Sequence, residues 1–352
     1  MVNVLYPKRT ANFRLQSFST TFAPLPMQVH HNIDQITSFR NAVVTIGTFD
    51  GVHSGHRQIL NQLKQEAVKI NGETVIITFH PHPRKVVHAG QSPVFLINTI
   101  EEKISLLEQV GIDHLVIVPF TEAFSQLTAK EYVEDFLINK FHPNTVIIGY
   151  DHHFGKGRGG NYRLLEEYSA AGAFMLKEIP EHLIHHNIVS STAIRQAVLG
   201  GNIEEAKELL GYNFFFEGTV IEGNKLGKVL GFPTANLRIE NEDKLIPGNG
   251  VYAIEAKVVN NNTINRTTTT YPPLTILHSN LYGMMNIGNR PTVGGTHRAI
   301  EVNIFDFNED IYGQIVQVSL KKFLRKEKKF EGLEELKRQL RIDKKEALQM
   351  LS

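Results

Sequence analysis

The spacing of apolar residues changes character near residue 211, and no other feature constrains the fold as strongly. Up to that point strand-like and helix-like segments alternate. Val43 to Gly47 is a β-branched run; residues 57–70 place Ile59, Leu60, Leu63, Ala67 and Ile70 on one helical face; Thr74 to Phe79 is strand-like again. Thr99 with Glu102, and Thr128 with Glu131, have the spacing of capping boxes. They predict two more helices, each followed by a buried-type strand, at residues 115–118 and 145–148. Such alternation predicts a parallel sheet covered on both faces, because parallel strands need crossovers that pack on them. Beyond residue 211 the chain reads as short strands punctuated by Gly, Pro and Asn, at residues 218–222, 250–257, 281–287, 300–305 and 315–320. That pattern predicts a small antiparallel barrel, so the expected class is α/β plus β.

The length of 352 residues suits about two domains of about 150 residues each. We expect them at 27–211 and 212–352, with short helices at 191–199 and 202–210 before the boundary and Gly211 as the second helix's C-cap. Residues 1–26 carry Lys8, Arg9 and Arg14 but no acidic residue, a transit-peptide-like composition. The plainer expectation is a disordered extension, or a start at Met27. Residues 260–273, rich in Asn and Thr and ending in Pro272 and Pro273, read as a surface insertion. Leu333, Leu336, Leu340, Leu348 and Leu351 mark a terminal helix packed on the barrel.

Composition narrows the chemistry. With no cysteine there is no disulfide, thiolate nucleophile or Cys-ligated metal, which fits a reducing, cytoplasmic setting. A net charge of +1 gives no global field to draw nucleic acid or a membrane surface, and no apolar run reaches spanning length. Residues 321–329 hold six basic positions of nine, read as a solvated face rather than a nucleic-acid patch.

The first strand-to-helix turn is Gly47-Thr48-Phe49-Asp50-Gly51-Val52-His53-Ser54-Gly55-His56. Glycines at the carboxyl end of a parallel strand let backbone N–H groups approach an anion, and the following helix adds its positive end. His53 and His56 can both lean toward that anion and stabilise charge developing on a phosphorus. A zinc reading is weak, since the turn offers no third ligand at metal spacing.

This His-x-Gly-His turn resembles that of the nucleotidyltransferase superfamily, and the longer Gly-x-Phe-Asp-Gly-x-His-x-Gly-His is similar to FMN adenylyltransferases. Residues 78–83, 101–110, 118–120, 149–156 and 190–195 agree with that family, so the resemblance covers most of 40–200. It implies a Rossmann-like domain that binds ATP phosphates through Gly47, Phe49, Gly51 and Gly55. Ser191, Thr192 and Arg195 stand where a helix begins, so hydroxyls, helix end and guanidinium can clamp a triphosphate tail. Asp151, His82 and Pro83 are expected on the flavin side. His80 departs from the family, which has an acidic residue there, and is not counted as a site residue.

The second part holds Gly223-Asn224-Lys225-Leu226-Gly227-Lys228-Val229-Leu230-Gly231-Phe232-Pro233-Thr234-Ala235-Asn236. Gly223, Lys225, Gly227 and Gly231 can cradle phosphate, although Gly-rich loops alone are weak signals. Thr234 and Asn236 are two apart, so on an extended strand they share a face and can ligate Mg²⁺ beside ATP phosphates. Gly-Phe-Pro-Thr-Ala-Asn resembles the signature of riboflavin kinases, in which a matching strand carries a catalytic Glu. Here that is Glu301, on one face with Asn303. Asn286 and Arg290 also match that family near flavin and nucleotide, and Arg325 matches a segment that closes over flavin.

Together the resemblances imply a two-reaction flavin enzyme: riboflavin and ATP to FMN and ADP, then FMN and ATP to FAD and pyrophosphate, with Mg²⁺. Nucleic acid and membrane are not expected as partners; a weak homo-oligomer stays open. Two alternatives also stay open: a kinase whose adenylyltransferase half is inactive or retargeted, and a non-catalytic flavin-binding regulator.

Overall fold

The structure is a computed structural model and describes residues 26–88, 90, 93–149, 152–179, 189–223, 226–261, 275–292 and 295–351. The expectations for residues 1–25, and for most of the 260–273 insertion, lie outside the described residues.

The first half runs β1 (Gln28–His30), β2 (Val43–Ile46), α1 (Ser54–Lys69), β3 (Thr74–His80), α2 (Pro83–Val87), α3 (Ile100–Val110) and β4 (His114–Pro119). Next come α4 (Glu122–Ser125), α5 (Ala129–Glu131), a π-helical stretch (Tyr132–Ile138), α6 (Asn139–Phe141), β5 (Thr145–Gly149), α7 (Tyr162–Ala170) and β6 (Met175–Ile179). Both expected capping boxes form, at Thr99 with Glu102 and at Thr128 with Glu131. The strands make one parallel sheet in the order β1-β4-β3-β2-β5-β6. Consecutive crossovers change direction at β2, which lies between β3 and β5. Apolar side chains from opposite faces of the sheet enter two different cores, one holding Val44, Ile77 and Phe136 and the other Val43, Leu60 and Leu107.

Two helices, α8 (Ser191–Gly200) and α9 (Ile203–Leu210), lead to the second half, and α9 ends at Gly211 in the left-handed conformation. The second half comprises β7 (Phe215–Ile221), α10 (Leu226–Leu230), β8 (Ala235–Arg238), β9 (Gly250–Val259), β10 (Ile276–Thr292), β11 (Gly295–Ile304), β12 (Ile315–Arg325) and α11 (Leu333–Leu351). Its strands close into an antiparallel barrel in the order β10-β11-β8-β7-β12-β9. On α11 the leucine stripe needs correction. Leu333 and Leu348 are exposed, while the face that packs on the barrel carries Leu340, Asp343, Ala347 and Leu351.

The largest core does not respect the change in periodicity. Ile194, Val198, Ile203 and Leu210 from α8 and α9 share it with Phe216, Ile254, Val302 and Leu320 of the barrel, and with Ile97 from the loop before α3. The helices between the halves are thus part of the barrel's apolar packing. Leu210 is fully buried there, so Leu210→Ala should destabilise the chain by about 2–5 kcal/mol, read as a lower denaturant midpoint. A midpoint unchanged within error would contradict the shared core.

Candidate active sites

The crevice at the carboxyl ends of β2 and β5 is the switch point where open α/β sheets take ligands. A cavity of about 1130 Å³ opens there, large enough for two small-molecule substrates. Gly47, Phe49, His53, Gly55, His56, His82, Pro83, Ser191, Thr192 and Arg195 all line it. His80 does not line it, and neither does Gly51. Gly51 has φ +98, and a Cβ there would meet Ile97 and Leu210, so its role is close packing under the turn. Asp151 lies outside the described residues.

His53 caps α1, and its Nδ1 accepts the His56 backbone N–H at 3.3 Å. With Nδ1 used as acceptor, a neutral His53 carries its proton on Nε2. The two imidazoles stack with centroids 3.6 Å apart. Burial lowers the His53 pKa from 6.5 to about 4, and burial plus neighbouring His53 and Lys103 lower that of His56 well below 6.5. Both rings are therefore neutral hydrogen-bond donors near pH 7. His56 Nδ1 is a buried nitrogen with no partner among the described residues, which suits a site that takes up an anion.

Three residues absent from the sequence-based site organise this turn. Asp50, 2% exposed, accepts the Ile97 N–H at 2.9 Å and the Asn98 N–H at 3.4 Å through Oδ1, while its Oδ2 pairs with Arg195. Arg195 Nε also donates to the Phe95 carbonyl at 2.6 Å, and Ser191 Oγ to the Asp50 carbonyl at 2.9 Å. Lys103 is buried below and donates to the Thr48 carbonyl at 2.7 Å; burial lowers its pKa to about 8. Tyr212 donates to the Gly51 carbonyl at 2.6 Å. Asp50 stands inside the motif itself. Lys103 carried a readable signal, a cation in register with Leu106, Leu107 and Val110 on an apolar helix face.

A second cavity, about 380 Å³, opens at the barrel and is lined by Gly227, Thr234, Asn236, Asn286, Glu301 and Arg325 among the expected residues. The strand register explains their convergence. Asn286 on β10 pairs with Glu301 on β11, which pairs with Asn236 on β8, so three polar side chains form one cross-strand row. Asn303 Nδ2 donates to the Pro233 carbonyl at 2.6 Å and fixes the approach to Thr234. A Cβ on Gly223 would lie 2.0 Å from Asn236 Nδ2, so this glycine makes room for that amide even though it does not line the cavity. Gly231 is also absent from the lining. Lys225 and the Arg290 side chain lie outside the described residues.

Arg325 is held by Asp343 through both carboxylate oxygens, at 2.9 and 2.7 Å, so α11 aims a β12 guanidinium at the cavity. Asp343 is fully buried and was missed in the sequence as the one acidic residue on the packed stripe of α11. Thr234 and Asn236 offer hard oxygen donors that suit Mg²⁺ shared with phosphate oxygens. Among the described residues no group of three or more His, Cys, Asp or Glu could hold a metal ion.

A histidine whose pKa falls on folding binds fewer protons folded than unfolded. Its stabilising contribution is complete above about pH 6.5 and is lost as the pH falls toward 4. The wild-type melting temperature should therefore fall between about pH 7 and pH 5, and less steeply in His53→Gln. A flat wild-type profile would contradict neutral buried imidazoles.

Comparison with known proteins matches both halves of the chain. The sequence pattern of the FAD synthetase family matches residues 34–193, and that of riboflavin kinase matches residues 210–351. The Bacillus subtilis bifunctional riboflavin kinase/FMN adenylyltransferase is 34% identical over 328 residues, covering 92% of this chain and 96% of its own. The Listeria monocytogenes protein of the same name is 36% identical over 321 residues, covering 90% and 95%. A solved structure from Streptococcus pneumoniae, described as a macrolide-efflux protein, superposes with a TM-score of 0.77 at 28% identity, covering 91% of this chain and 98% of that one. Two matched halves, each built around its own cavity and continuous with full-length relatives, show that this chain belongs to the family of bifunctional riboflavin kinase/FMN adenylyltransferases.

Proposed function

We propose that the chain phosphorylates riboflavin with ATP at the barrel cavity and adenylylates the resulting FMN with a second ATP at the sheet's switch point. The observation that carries this reading is the cross-strand row of Asn236, Glu301 and Asn286 in one cavity, with the stacked neutral pair His53 and His56 in another.

In the kinase step Glu301 takes the proton of the riboflavin 5′-hydroxyl as that oxygen bonds to the γ-phosphorus, and ADP leaves. Thr234 and Asn236 would hold Mg²⁺, which supplies charge neutralisation at the phosphates. Arg325, oriented by Asp343, closes the flavin side together with Asn286. In the adenylyl step an FMN phosphate oxygen bonds to the α-phosphorus of ATP and pyrophosphate leaves. The attacking phosphate is already ionised, so no general base is needed. His53 and His56 donate hydrogen bonds to the charge that builds on phosphorus, and Thr192, Arg195 and the N-terminus of α8 hold the β- and γ-phosphates that leave as pyrophosphate, while Ser191, its hydroxyl proton given to the Asp50 carbonyl, braces the turn. Gly47, Phe49 and Gly55 shape the nucleotide cradle, with His82 and Pro83 on its flavin rim.

The partners in this reading are riboflavin, FMN, FAD, ATP, ADP and pyrophosphate, and the setting is the cytoplasm. Within the basic 321–329 segment, Lys321 pairs with Glu255, Lys322 with Glu204, Arg325 with Asp343 and Lys328 with Glu335, so four of its six cations face acidic partners within the chain. Among the described residues no helix is long and apolar enough to cross a membrane.

A chromatographic time course with ATP and Mg²⁺, started from riboflavin and separately from FMN, should yield FAD in both. His53→Ala should abolish FAD formation and spare FMN formation. Glu301→Ala should stop FMN formation yet make FAD when FMN is supplied. Loss of both activities in either folded variant would rule out two separate sites, and FMN as the sole product would favour a retargeted adenylyltransferase half.

A further inference from the structure

The loop before α3 has two sides. On one, Ile97 N–H and Asn98 N–H bind Asp50, and the Phe95 carbonyl binds Arg195, so the loop sets the residues assigned to the triphosphate tail. On the other, it is gripped by a segment of the second half. Leu96 N–H donates to the Asp243 carbonyl at 2.6 Å, and Leu245 N–H donates back to the Leu96 carbonyl at 2.8 Å. Between them Lys244, 3% exposed, sends its ammonium to the Ile97 carbonyl at 2.6 Å and to Glu102 Oε2 at 2.5 Å. Glu102 Oε2 also accepts Thr99 N–H at 3.0 Å, closing the capping box of α3. The same segment reaches the other rim of the cavity, where Asp243 pairs with Lys85 on α2, the helix that Pro83 begins.

We propose that Lys244, although it belongs to the kinase half, is a positioning residue for adenylyl transfer: it fixes the 95–99 loop that holds Asp50 and Arg195 in place. This rests on the function proposed above. Lys244 and Glu102 are buried almost completely, 1% and 2% exposed at their side chains. A buried carboxylate that loses its counter-ion must either take up a proton or move toward water. Here such movement would drag the loop whose N–H groups hold Asp50. A shift of roughly 1 Å in a positioning group is enough to slow a reaction by about a hundredfold. The kinase cavity is lined by other parts of the barrel, and neither Lys244 nor Glu102 belongs to it.

The test is made on the full-length protein, with FMN formation from riboflavin and FAD formation from FMN measured on the same samples. In Lys244→Met we expect FAD formation slowed by about tenfold or more, mainly in kcat rather than in KM for FMN, while FMN formation stays within about twofold of wild type. If K244M loses both activities through misfolding, the charge-neutral pair E102Q with K244M is read in its place, with a selective loss of about threefold or more expected. FAD formation within twofold of wild type, or parallel loss of both activities in the neutral pair, overturns the proposal. A wild-type sample that makes no FAD from FMN would instead refute the assigned function.

Discussion

The buried carboxylate of Asp50 is the constraint on which the first site depends. Removed from water, it is stable only if its oxygens are paired, and the pairs join three segments distant in sequence: the turn after β2, the loop at 95–98 and helix α8. The turn it anchors is strained. Phe49 and Val52 have φ of +46 and +36, a region costly for side chains of their size, of order 1–3 kcal/mol each. Such conformations persist only where the surroundings over-determine them. Asp50, Tyr212 and the packing of Gly51 against Ile97 and Leu210 do so here, and the strained turn in turn stacks His53 on His56.

The same loop carries this constraint into the second half. Ile97 belongs to the core shared by α8, α9 and the barrel, and the Lys244–Glu102 pair lies beside it. The two cavities therefore sit on a continuous scaffold rather than on independent modules joined by a linker. The barrel's own cavity has a different logic. Its polar row comes from strand register, and its closing side from α11, where the buried Asp343 draws Arg325 inward.

Much of this was legible in the sequence. The alternation in the first half, the antiparallel pattern in the second, both capping boxes and the Gly211 cap all depend on neighbours within a few residues. The motif residues were legible too, and most of them reach a cavity. Motif membership does not distinguish a residue that touches ligand from one that lets the turn pack, and Gly51 is of the second kind. A long amphipathic helix has more leucines than its docking face can cover, and Leu333 and Leu348 are the surplus. Lys103 and Asp343 stood on apolar faces in plain view, yet a charged residue at a buried position has meaning only once its partner is known.

The sequence by itself determined the strand–helix alternation of the first half, the antiparallel pattern of the second, and the capping boxes and Gly211 cap that bound their helices. These follow from periodicity and from hydrogen bonds between residues three or four apart. The tertiary structure alone decided that Asp50 meets Ile97 and Arg195, that Lys244 meets Glu102, and that Asn236, Glu301 and Asn286 stand in one row. A buried charge selects its partner by the dielectric cost of having none, and strands select their register by the faces they bury. Both selections are made between residues far apart in the chain, where sequence spacing carries no information about distance.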